Sequence, residues 1–289
     1  MIDTRIRVLV LGASGMLGNA VLRLFEQSSG YLVFGSVRSH SAAGLLPQSV
    51  KRRLVACIDV ENFDSLAGLF SQTNPQIVIN CIGLVKQKAE AADPLLALPI
   101  NSILPHRLAR LCAVAGARLI HISTDCVFSG TRGMYTEGDF PDATDMYGRT
   151  KFLGEVDYPH AVTLRTSIIG QELQEARSLV SWFLAQNGEV KGYQSAIFSG
   201  LPTLEVGRVI RDYVIPNPQL QGLYHVSAEP INKFDLLMLL ARVYQKEINI
   251  VPDNTLVINR SLDSSLFRKS VGYTPSSWPE LVSSMQQFG

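Results

Sequence analysis

Short apolar runs that alternate with helical patterns are the feature that most restricts the fold of the first half of the chain. Six runs read as buried strands: 7–11, 31–37, 54–57, 76–81, 118–123 and 162–165. Helical patterns lie between them at 16–27, 62–71, 95–115 and 147–156. Apolar strands separated by helices form a parallel sheet that helices cover on both faces. The pattern therefore predicts an α/β fold with a Rossmann-type doubly wound parallel sheet.

The second half is less regular. Helical patterns cover 177–186, 204–215 and 233–244, and strand-like runs cover 193–198 and 222–227. We expect residues 1–167 to form the cofactor-binding Rossmann domain, rejoined by about 203–227. Residues 168–202 and 228–289 are expected to form a smaller C-terminal substrate-binding lobe.

Composition excludes several classes of protein. With 46% hydrophobic and 18% charged residues, the chain of 289 residues is typical of a compact globular protein. The net charge is +1 and the basic residues are scattered, which argues against a nucleic-acid surface. No apolar run reaches the roughly 18 residues that cross a bilayer, and a strand-like run begins too early to leave room for a signal peptide. The four cysteines are widely spaced, which indicates reduced thiols and a cytoplasmic location. The five histidines are isolated, which indicates that there is no metal site.

A glycine-rich segment, 12-GASGMLG-18, follows the first predicted strand and opens a helix. Gly12 permits a tight turn, Gly15 lets backbone approach a pyrophosphate, and Gly18 lets helix and strand pack closely. The helix N-terminus adds free N–H groups and a partial positive charge. This context predicts dinucleotide binding. The prediction extends to the residues between the glycines, Ser14, Met16 and Leu17.

The end of the second strand indicates which nicotinamide cofactor is used. An acidic residue there would bind the ribose 2′-hydroxyl of NAD, but the segment 35-GSVRSH-40 has Arg38 and no acid. A guanidinium suits the 2′-phosphate of NADP, although a solvated surface arginine is the alternative. Other strand ends should also contact NADP(H): Asp59, Val60, Cys81, Ile82, Gly83, Ser123 and Thr166.

A tyrosine and a lysine four residues apart follow the fifth strand. Tyr147 and Lys151 would share one face of a helix, and Thr124 lies at the end of the strand before them. A free tyrosine has a pKa of about 10, and an adjacent ammonium is expected to lower the pKa of the phenol. Thr124 would bind a carbonyl oxygen that Tyr147 protonates while hydride reaches the carbon, as in a ketone reductase. The alternative is two neighbours on an ordinary helix surface.

These motifs together resemble the extended short-chain dehydrogenase/reductase family: GASGMLG, the NCIG strand end, Asn101, STDCVFSG and YGRTK. The segments 123-STDCVF-128, 165-RTSIIG-170 and 222-GLYHVS-227 are most similar to its dTDP-4-dehydrorhamnose reductase branch. The resemblance implies that Thr124, Tyr147 and Lys151 are catalytic and that Asn101 supports the lysine. It implies an NADPH-dependent reduction of a nucleotide-linked 6-deoxy-4-keto sugar whose product feeds surface polysaccharide. Such relatives are often dimers.

Two residues depart from that branch near the expected sugar site. Cys126 replaces a usual aromatic residue, and Ile168 replaces a usual tryptophan. Loss of aromatic surface changes how a sugar ring is held, so a UDP-linked 2-acetamido-2,6-dideoxy-4-keto-hexose is a second candidate substrate. The residues expected to bind substrate are Val85, Thr124, Asp125, Cys126 and Ile168, with Trp182, Lys191 and Tyr193 from the smaller lobe. In that lobe the aromatic side chains would stack on the base of the nucleotide, and Lys191 would bind its diphosphate. The alternative is that the aromatic residues serve ordinary packing and that Lys191 is a solvated surface lysine.

Two other functions stay open. An epimerase of the same family would use the same three catalytic residues, whereas a dehydratase usually carries an acidic pair after the threonine and this chain has Asp125 and Cys126. Some relatives of this branch bind NADP and act as non-catalytic regulatory subunits of another enzyme. The intact Thr124, Tyr147 and Lys151 argue against that role.

The first prediction concerns Arg38. The Arg38→Ala variant should bind NADPH about 10- to 100-fold more weakly, because charge-assisted hydrogen bonds are worth about 1.5–3 kcal/mol. NADH binding should hardly change, and titration of both cofactors checks this. Equal losses for the two cofactors would mean that Arg38 does not select between them.

Overall fold

The computed structural model describes residues 3–85, 89–174 and 178–289. The strands are β1 Ile6–Leu11, β2 Tyr31–Ser36, β3 Leu54–Val55, β4 Ile77–Asn80, β5 Arg118–Thr124, β6 Ala161–Thr166, β7 Ile168–Ile169, β8 Glu189–Tyr193, β9 Ala196–Phe198, β10 Leu201–Pro202, β11 Gly222–His225, β12 Ile231–Asn232, β13 Asn249–Asp253 and β14 Ile258–Asn259. The α-helices are α1 Met16–Glu26, α2 His40–Gly44, α3 Gln48–Lys51, α4 Phe63–Thr73, α5 Pro94–Ala97, α6 Leu104–Ala115, α7 Met146–Leu153, α8 Leu179–Ala185, α9 Thr203–Val209, α10 Lys233–Val243, α11 Ser265–Val271 and α12 Trp278–Phe288.

The predicted parallel sheet is confirmed. Seven strands pair in the order β11-β6-β5-β4-β1-β2-β3, and every pairing between them is parallel. Side chains of β1 alternate between two cores: Val8 and Val10 join the larger cluster, and Leu9 and Leu11 join the cluster on the other face. Burial on both faces explains why the strands read as continuous apolar runs.

The later segments build small sheets beside the main one. β10 pairs with β7, β13 pairs with β8, and β9 lies between β12 and β14. β11 adds a seventh strand next to β6, and α9 packs against α1. Both elements belong to the segment 203–227 that was expected to rejoin the Rossmann domain.

Several predicted elements have different bounds. The run 193–198 is two strands, because β8 ends at Tyr193 and β9 begins at Ala196. The third strand is shorter than predicted, since Cys57 has a φ of +63° and leaves the extended conformation. The predicted helix 95–115 is interrupted by a π-helical turn, Leu98–Ile103. The helix predicted from residue 177 begins at Leu179; residue 177 itself lies outside the described residues.

The described residues contain neither a membrane-spanning helix nor a cluster of metal-binding side chains. Within 3–85, 89–174 and 178–289, no helix has the length and apolar character needed to cross a membrane. The same residues contain no group of three or more His, Cys, Asp or Glu side chains placed to hold a metal ion.

A buried polar network joins the carboxyl ends of three neighbouring strands. The Arg165 guanidinium of β6 donates to both oxygens of Glu155, at 2.7 Å from Nε and 2.6 Å from Nη2. Ser123 of β5 donates to the same carboxylate at 2.6 Å. On the other side, Arg165 Nη1 lies 3.2 Å from Nε2 of His225 in β11, whose Nδ1 lies 2.9 Å from the Tyr135 carbonyl oxygen. Arg165 is 2% exposed and His225 is fully buried.

The position of His225 in this network keeps its imidazole ring neutral. Burial, followed by the nearby charge of Arg165, lowers the pKa of His225 to about 4. The neutral ring can then accept from Arg165 through Nε2 while Nδ1 donates to the Tyr135 carbonyl. A charged imidazolium could not accept from Arg165, because both of its ring nitrogens carry protons.

The second prediction is a loss of stability in acid. An unfolded histidine binds a proton near pH 6.5, whereas folded His225 stays neutral until about pH 4. The contribution of His225 is therefore complete above about pH 6.5 and falls as the pH drops, by about 2 kcal/mol at pH 5. Between pH 7.5 and 5, the free energy of urea unfolding should therefore fall less in His225→Gln than in the wild type. His40→Gln, at an exposed position, is the control. If the free energy of unfolding falls as much in His225→Gln as in the wild type, the low pKa of His225 is contradicted.

Candidate active site

The loop between β1 and α1 is shaped by glycines. Gly12 has a φ of +76°, and a Cβ there would lie 2.9 Å from Ile82 Cγ1. A Cβ on Gly18 would collide with the Gly12 carbonyl, so only glycine lets α1 pack so closely. Gly15 is the exposed N-cap of α1 and provides no side-chain cap. The loop is thus a backbone cradle at a helix N-terminus, a geometry that fits the pyrophosphate of a dinucleotide.

The other predicted residues of this loop differ in exposure. Ser14 and Met16 are half-buried at the start of α1, and a Cβ on Gly170 would lie 3.4 Å from Met16 Cγ. Leu17 is 5% exposed and packs into the larger core cluster. Leu17 can therefore face a ligand only through its backbone.

The predicted contacts for the adenosine half lie at two strand ends. Arg38 is exposed just beyond β2, next to Ser39, whose hydroxyl accepts from the Ala42 amide at 3.2 Å. Asp59 is exposed beyond β3, and its carboxylate accepts from the Glu61 amide at 3.0 Å. Val60 is half-buried against the second core cluster. The exposed guanidinium of Arg38 is therefore accessible to a phosphate group at this edge of the sheet.

The segment after β4 lies next to Lys151. Cys81 and Ile82 are held by their amides, which donate to Leu11 O at 3.2 Å and to Asn80 Oδ1 at 3.1 Å. A Cβ on Gly83 would lie 3.8 Å from Lys151 Nζ. This strand end therefore lies beside both the glycine loop and the lysine.

Thr124, Tyr147 and Lys151 come together at the carboxyl edge of the sheet. Thr124 is the last residue of β5; its Oγ1 accepts from the Cys126 amide at 3.1 Å and donates to Asp125 Oδ1 at 3.2 Å. The Thr124 side chain is also near enough to the Tyr147 hydroxyl to influence its pKa. Asp145 caps α7 by accepting from the Gly148 amide at 3.0 Å, which sets the start of the helix one residue before Tyr147. Lys151, one turn later, is 4% exposed and donates to Ile122 O at 2.8 Å.

The protonation states differ from the sequence expectation. Burial, and then the charges of Cys126 and Asp125, raise the pKa of Tyr147, and the hydrogen bond with Thr124 offsets only part of this. The pKa of Tyr147 is therefore above its ordinary value, and the expected net lowering of this pKa is wrong for this structure. Burial lowers the pKa of Lys151 to about 8, opposed by Glu155. Tyr147 is consequently a protonated phenol at neutral pH, ready to act as a proton donor.

Asn101 connects the lysine helix to the segment after β4. It lies in the π-helical turn and is 1% exposed. Its Oδ1 accepts from the Leu84 amide at 2.9 Å, and its Nδ2 lies 3.2 Å from Oγ1 of Thr150, the residue before Lys151. Asn101 thus links the segment after β4 to the side chain that precedes Lys151, and π-turns of this kind are frequent at functional sites.

The helix α7 packs closely against neighbouring backbone at both of its ends. A Cβ on Gly148 would collide with the Cys126 carbonyl and lie 2.5 Å from Ala143 Cβ. A Cβ on Gly154 would collide with the Asn101 carbonyl. These two contacts fix Tyr147 and Lys151 relative to β5.

Two predicted cofactor residues use their side chains elsewhere. Ser123 donates to Glu155 and so belongs to the buried network. Thr166 is 2% exposed, and its hydroxyl donates to Ser167 O at 3.2 Å. Glu155, four residues after Lys151, was missed by sequence reasoning, although the i, i+4 spacing of opposite charges was a usable signal.

Four further predicted substrate residues differ in their exposure. Asp125 and Cys126 form the single 3₁₀ turn that follows Thr124, and Asp125 is 5% exposed. Ile168 is half-buried in β7, and Val85 is 43% exposed after β4. Burial raises the pKa of Asp125, while the charges of Arg260 and Lys233 oppose this shift.

The substrate residues predicted from the smaller lobe are all at least partly exposed. Lys191 of β8 is 69% exposed and forms an ion pair with Asp253 of β13 at 3.0 Å. Trp182 is 36% exposed on α8, and Tyr193 is half-buried on β8. The Lys191 ammonium is thus paired with a carboxylate at the surface, and contact of these three residues with the nucleotide stays a prediction.

Two cations that the sequence did not suggest lie near Asp125 instead. Lys233 begins α10, and Arg260 follows β14. Their charges act on Asp125, and Arg260 Nε donates to Phe128 O at 2.8 Å. Burial lowers the pKa of Lys233 to about 8, opposed by Asp125 and Cys126. Both positions depend on long-range strand pairing, so no local motif could have identified them.

The fold and site agree with a known family. The family model described as "RmlD substrate binding domain" matches residues 6–255. The chain therefore belongs to this family, the dTDP-4-dehydrorhamnose reductase-like branch of the extended short-chain dehydrogenases/reductases.

Individual relatives fall into two groups. The dTDP-4-dehydrorhamnose reductase of Bacillus anthracis, solved in complex with NADP, superposes with a TM-score of 0.80 at 21% identity, over 98% of both chains. At that identity the similarity concerns the fold. Methionine adenosyltransferase 2 subunit beta of Xenopus laevis is 26% identical over 98% of this chain and 82% of its own length. A Haloferax volcanii protein named "Probable low-salt glycan biosynthesis reductase Agl14" is 32% identical over 55% of this chain and 52% of its own length.

The third prediction tests the packing of α7. Gly148→Ala should lower the free energy of unfolding by about 1–3 kcal/mol, because the added methyl group has no room beside the Cys126 carbonyl. Gly68→Ala on α4, where a Cβ meets nothing within 4 Å, should be neutral or stabilising by about 0.5–1 kcal/mol. Urea unfolding measures both. Equal stabilities for the two variants would mean that the contact does not constrain α7.

Proposed function

We propose that the protein is an NADPH-dependent reductase of the 4-keto group of a nucleotide-activated 6-deoxy sugar. The observation that carries the proposal is the convergence of Thr124, Tyr147 and Lys151 at the carboxyl edge of the sheet, beside the glycine loop. Ligands of doubly wound sheets bind outside that edge. Membership of a family that includes dTDP-4-dehydrorhamnose reductases supports the same chemistry.

Each side chain has a distinct role in this reaction. Thr124 would donate a hydrogen bond to the ketone oxygen of the sugar, and Tyr147 would transfer its proton to that oxygen. The nicotinamide, when bound, supplies hydride to the carbonyl carbon. Burial would oppose the loss of the Tyr147 proton, and the Lys151 ammonium would offset part of that opposition by stabilising the phenolate as it forms. Asn101 would hold the backbone around Lys151.

The cofactor would lie along the strand ends of the Rossmann domain. We assign its pyrophosphate to the glycine loop and the start of α1, its 2′-phosphate to Arg38, and its adenine to the region of Asp59 and Val60. The division into a cofactor domain, residues 1–167 with about 203–227, and a substrate lobe, residues 168–202 and 228–289, belongs to the same proposal. So do a cytoplasmic location, a role in surface polysaccharide synthesis and assembly as a homodimer.

The sugar is proposed from the two departures in its pocket. Cys126 and Ile168 offer less aromatic surface than the residues usual in this branch, so a UDP-linked 2-acetamido-2,6-dideoxy-4-keto-hexose competes with a dTDP-linked 6-deoxy-4-keto sugar as the substrate. A change of methyl size in an apolar pocket alters discrimination by about 1–3 kcal/mol. The ratio of kcat/KM for the two sugars decides between them.

A regulatory subunit is the second candidate function. The similarity to methionine adenosyltransferase 2 subunit beta, which extends over 98% of this chain, favours it. A binding subunit needs the cofactor cradle but has no need of a buried proton donor beside a lysine. An epimerase of the same family would use the same three residues and return the hydride to the sugar before release.

One assay separates these functions. The protein is incubated with NADPH and either a dTDP- or a UDP-linked 4-keto-6-deoxy sugar, and the product is identified. A reductase consumes one NADPH for each alcohol formed. Inversion of the 4-hydroxyl group of the corresponding alcohol sugar in the presence of the oxidised cofactor, without net formation of NADPH, identifies an epimerase. Binding of NADPH without conversion of any of these sugars leaves the regulatory role.

The fourth prediction concerns the proton donor. Tyr147→Phe should lower turnover by about 10²–10⁴, the usual contribution of general acid catalysis, with little change in fold or NADPH affinity. Lys151→Met should lower both turnover and NADPH affinity, because a buried ammonium at this place can also hydrogen-bond the nicotinamide ribose. Tyr224→Phe on β11 and Lys51→Met on α3 are the controls. Full turnover in Tyr147→Phe would refute the catalytic role of this residue.

A further inference from the structure

A buried carboxylate lies beside the strand end that holds the Lys151 ammonium. Lys151 Nζ donates to the carbonyl oxygen of Ile122 in β5 at 2.8 Å. The next residue of the strand, Ser123, donates through its hydroxyl to Glu155 Oε1 at 2.6 Å. The ammonium and the carboxylate, four residues apart along the chain, are therefore both held by consecutive residues at the same end of β5.

Hydrogen bonds hold the Glu155 carboxylate in this orientation. Its side chain is 9% exposed, and Arg165 donates to both of its oxygens, at 2.7 Å and 2.6 Å. Two parallel hydrogen bonds from one guanidinium fix the plane of a carboxylate. The backbone between Lys151 and Glu155 is also held closely, because a Cβ on Gly154 would collide with the Asn101 carbonyl. The position of the carboxylate relative to β5 is therefore well defined.

Glu155 supplies the negative charge that acts on Lys151. Burial raises the pKa of the Cys81 thiol to about 12 and lowers the pKa of His121 well below its ordinary value, so neither side chain is charged near neutral pH. Tyr147, one turn earlier on α7, is a protonated phenol because burial raises its pKa. Among the described residues that act on Lys151 through their charge, Glu155 is thus the one that is an anion near neutral pH.

The charge of Lys151 depends on such a neighbour. A buried ammonium loses its hydration, which favours the neutral amine. Burial lowers the pKa of Lys151 to about 8, and the charge of Glu155 opposes this lowering. A lysine with a pKa near 8 is close to its titration midpoint at neutral pH. Loss of the opposing carboxylate would therefore leave much of it uncharged.

We propose that Glu155 is a positioning residue for Lys151: its carboxylate keeps the buried ammonium protonated and directed at the end of β5. Glu155 acts through Lys151 and not on the substrate or the cofactor. The use of the ammonium in proton transfer from Tyr147 rests on the proposed function, whereas the protonation of the ammonium does not.

Titration of Lys151 by NMR tests the proposal without any substrate. Lysine labelled with ¹³C at Cε reports the protonation of each amine, and Lys151→Met assigns the signal. In Glu155→Gln the midpoint of the Lys151 titration should fall by about one pH unit, because a nearby opposite charge favours the ammonium. Glu155→Asp, which retains the charge, should restore most of the midpoint. Glu26→Gln, which breaks an ion pair with Arg53 at the end of α1, is the matched control and should leave it unchanged.

A second variant covers the case in which Glu155→Gln does not fold. That substitution leaves the Arg165 guanidinium buried without its carboxylate, which is strongly destabilising. The double variant Glu155→Gln/Arg165→Met removes both charges of the pair and avoids this cost. Because the charge of Glu155 raises the pKa of Lys151, the midpoint should still lie below that of the wild type.

The pH dependence of turnover separates positioning from a structural defect. At about pH 6 Lys151 is charged in both proteins, so Glu155→Gln should reduce a 4-keto sugar at nearly the wild-type rate. At about pH 8.5 the variant should be about 5- to 10-fold slower, because a smaller fraction of Lys151 is charged. Loss of packing alone would lower kcat by the same factor at both pH values.

The outcomes for Glu155 and for the reductase are distinguishable. An unchanged Lys151 midpoint in Glu155→Gln and in the double variant would refute the proposal, as would a loss of kcat that does not depend on pH. A lowered midpoint in a protein whose wild type converts no 4-keto sugar would retain the role of Glu155 and refute the reductase.

Discussion

The buried ion pair between Arg165 and Glu155 is the interaction on which the carboxyl edge of the sheet depends. A guanidinium with 2% exposure is costly to desolvate, and it is tolerated only because Glu155 and His225 engage its nitrogens. Ser123 completes the shell of the carboxylate. Removal of one partner from such a pair typically costs about 3–5 kcal/mol, because the other charge stays buried. The pair joins β6 to the end of the segment that carries Lys151, and His225 extends it to β11.

Glycines determine how closely α7 can approach β5 and the π-helical turn. Gly148 lets α7 approach the Cys126 carbonyl, and Gly154 lets the end of the helix approach Asn101. Any side chain at these positions would push the helix away from β5, where Thr124 lies. The polar network determines which strand ends meet, and the glycines determine how closely α7 follows them. Tyr147 is held between these two constraints, within hydrogen-bond reach of Thr124.

Local patterns predicted the Rossmann half of the molecule because its signals are local. The strand, the glycine loop and α1 follow one another in sequence, and Tyr147 and Lys151 are separated by one helical turn. The smaller lobe depends on pairings between distant segments, such as β9 with β14, so Lys233 and Arg260 could not be connected to Asp125 in advance. Lys191 was chosen for its charge and its neighbouring aromatic residues, and neither property reveals that Asp253 pairs with it.

The same fold serves relatives named as reductases and relatives named as subunits of methionine adenosyltransferase, so the fold cannot decide between catalysis and regulation. The arrangement of the side chains carries more weight. Burial lowers the pKa of Lys151 to about 8, so keeping this ammonium inside the protein costs folding free energy at neutral pH. Burial also raises the pKa of Tyr147, which opposes release of its proton, so a nearby ammonium is needed to stabilise the phenolate as it forms. A buried lysine one helical turn from a buried tyrosine, near Thr124, is what proton transfer to a bound oxygen requires, whereas cofactor binding alone needs no phenol at this place. The reductase is therefore the function that this site supports best.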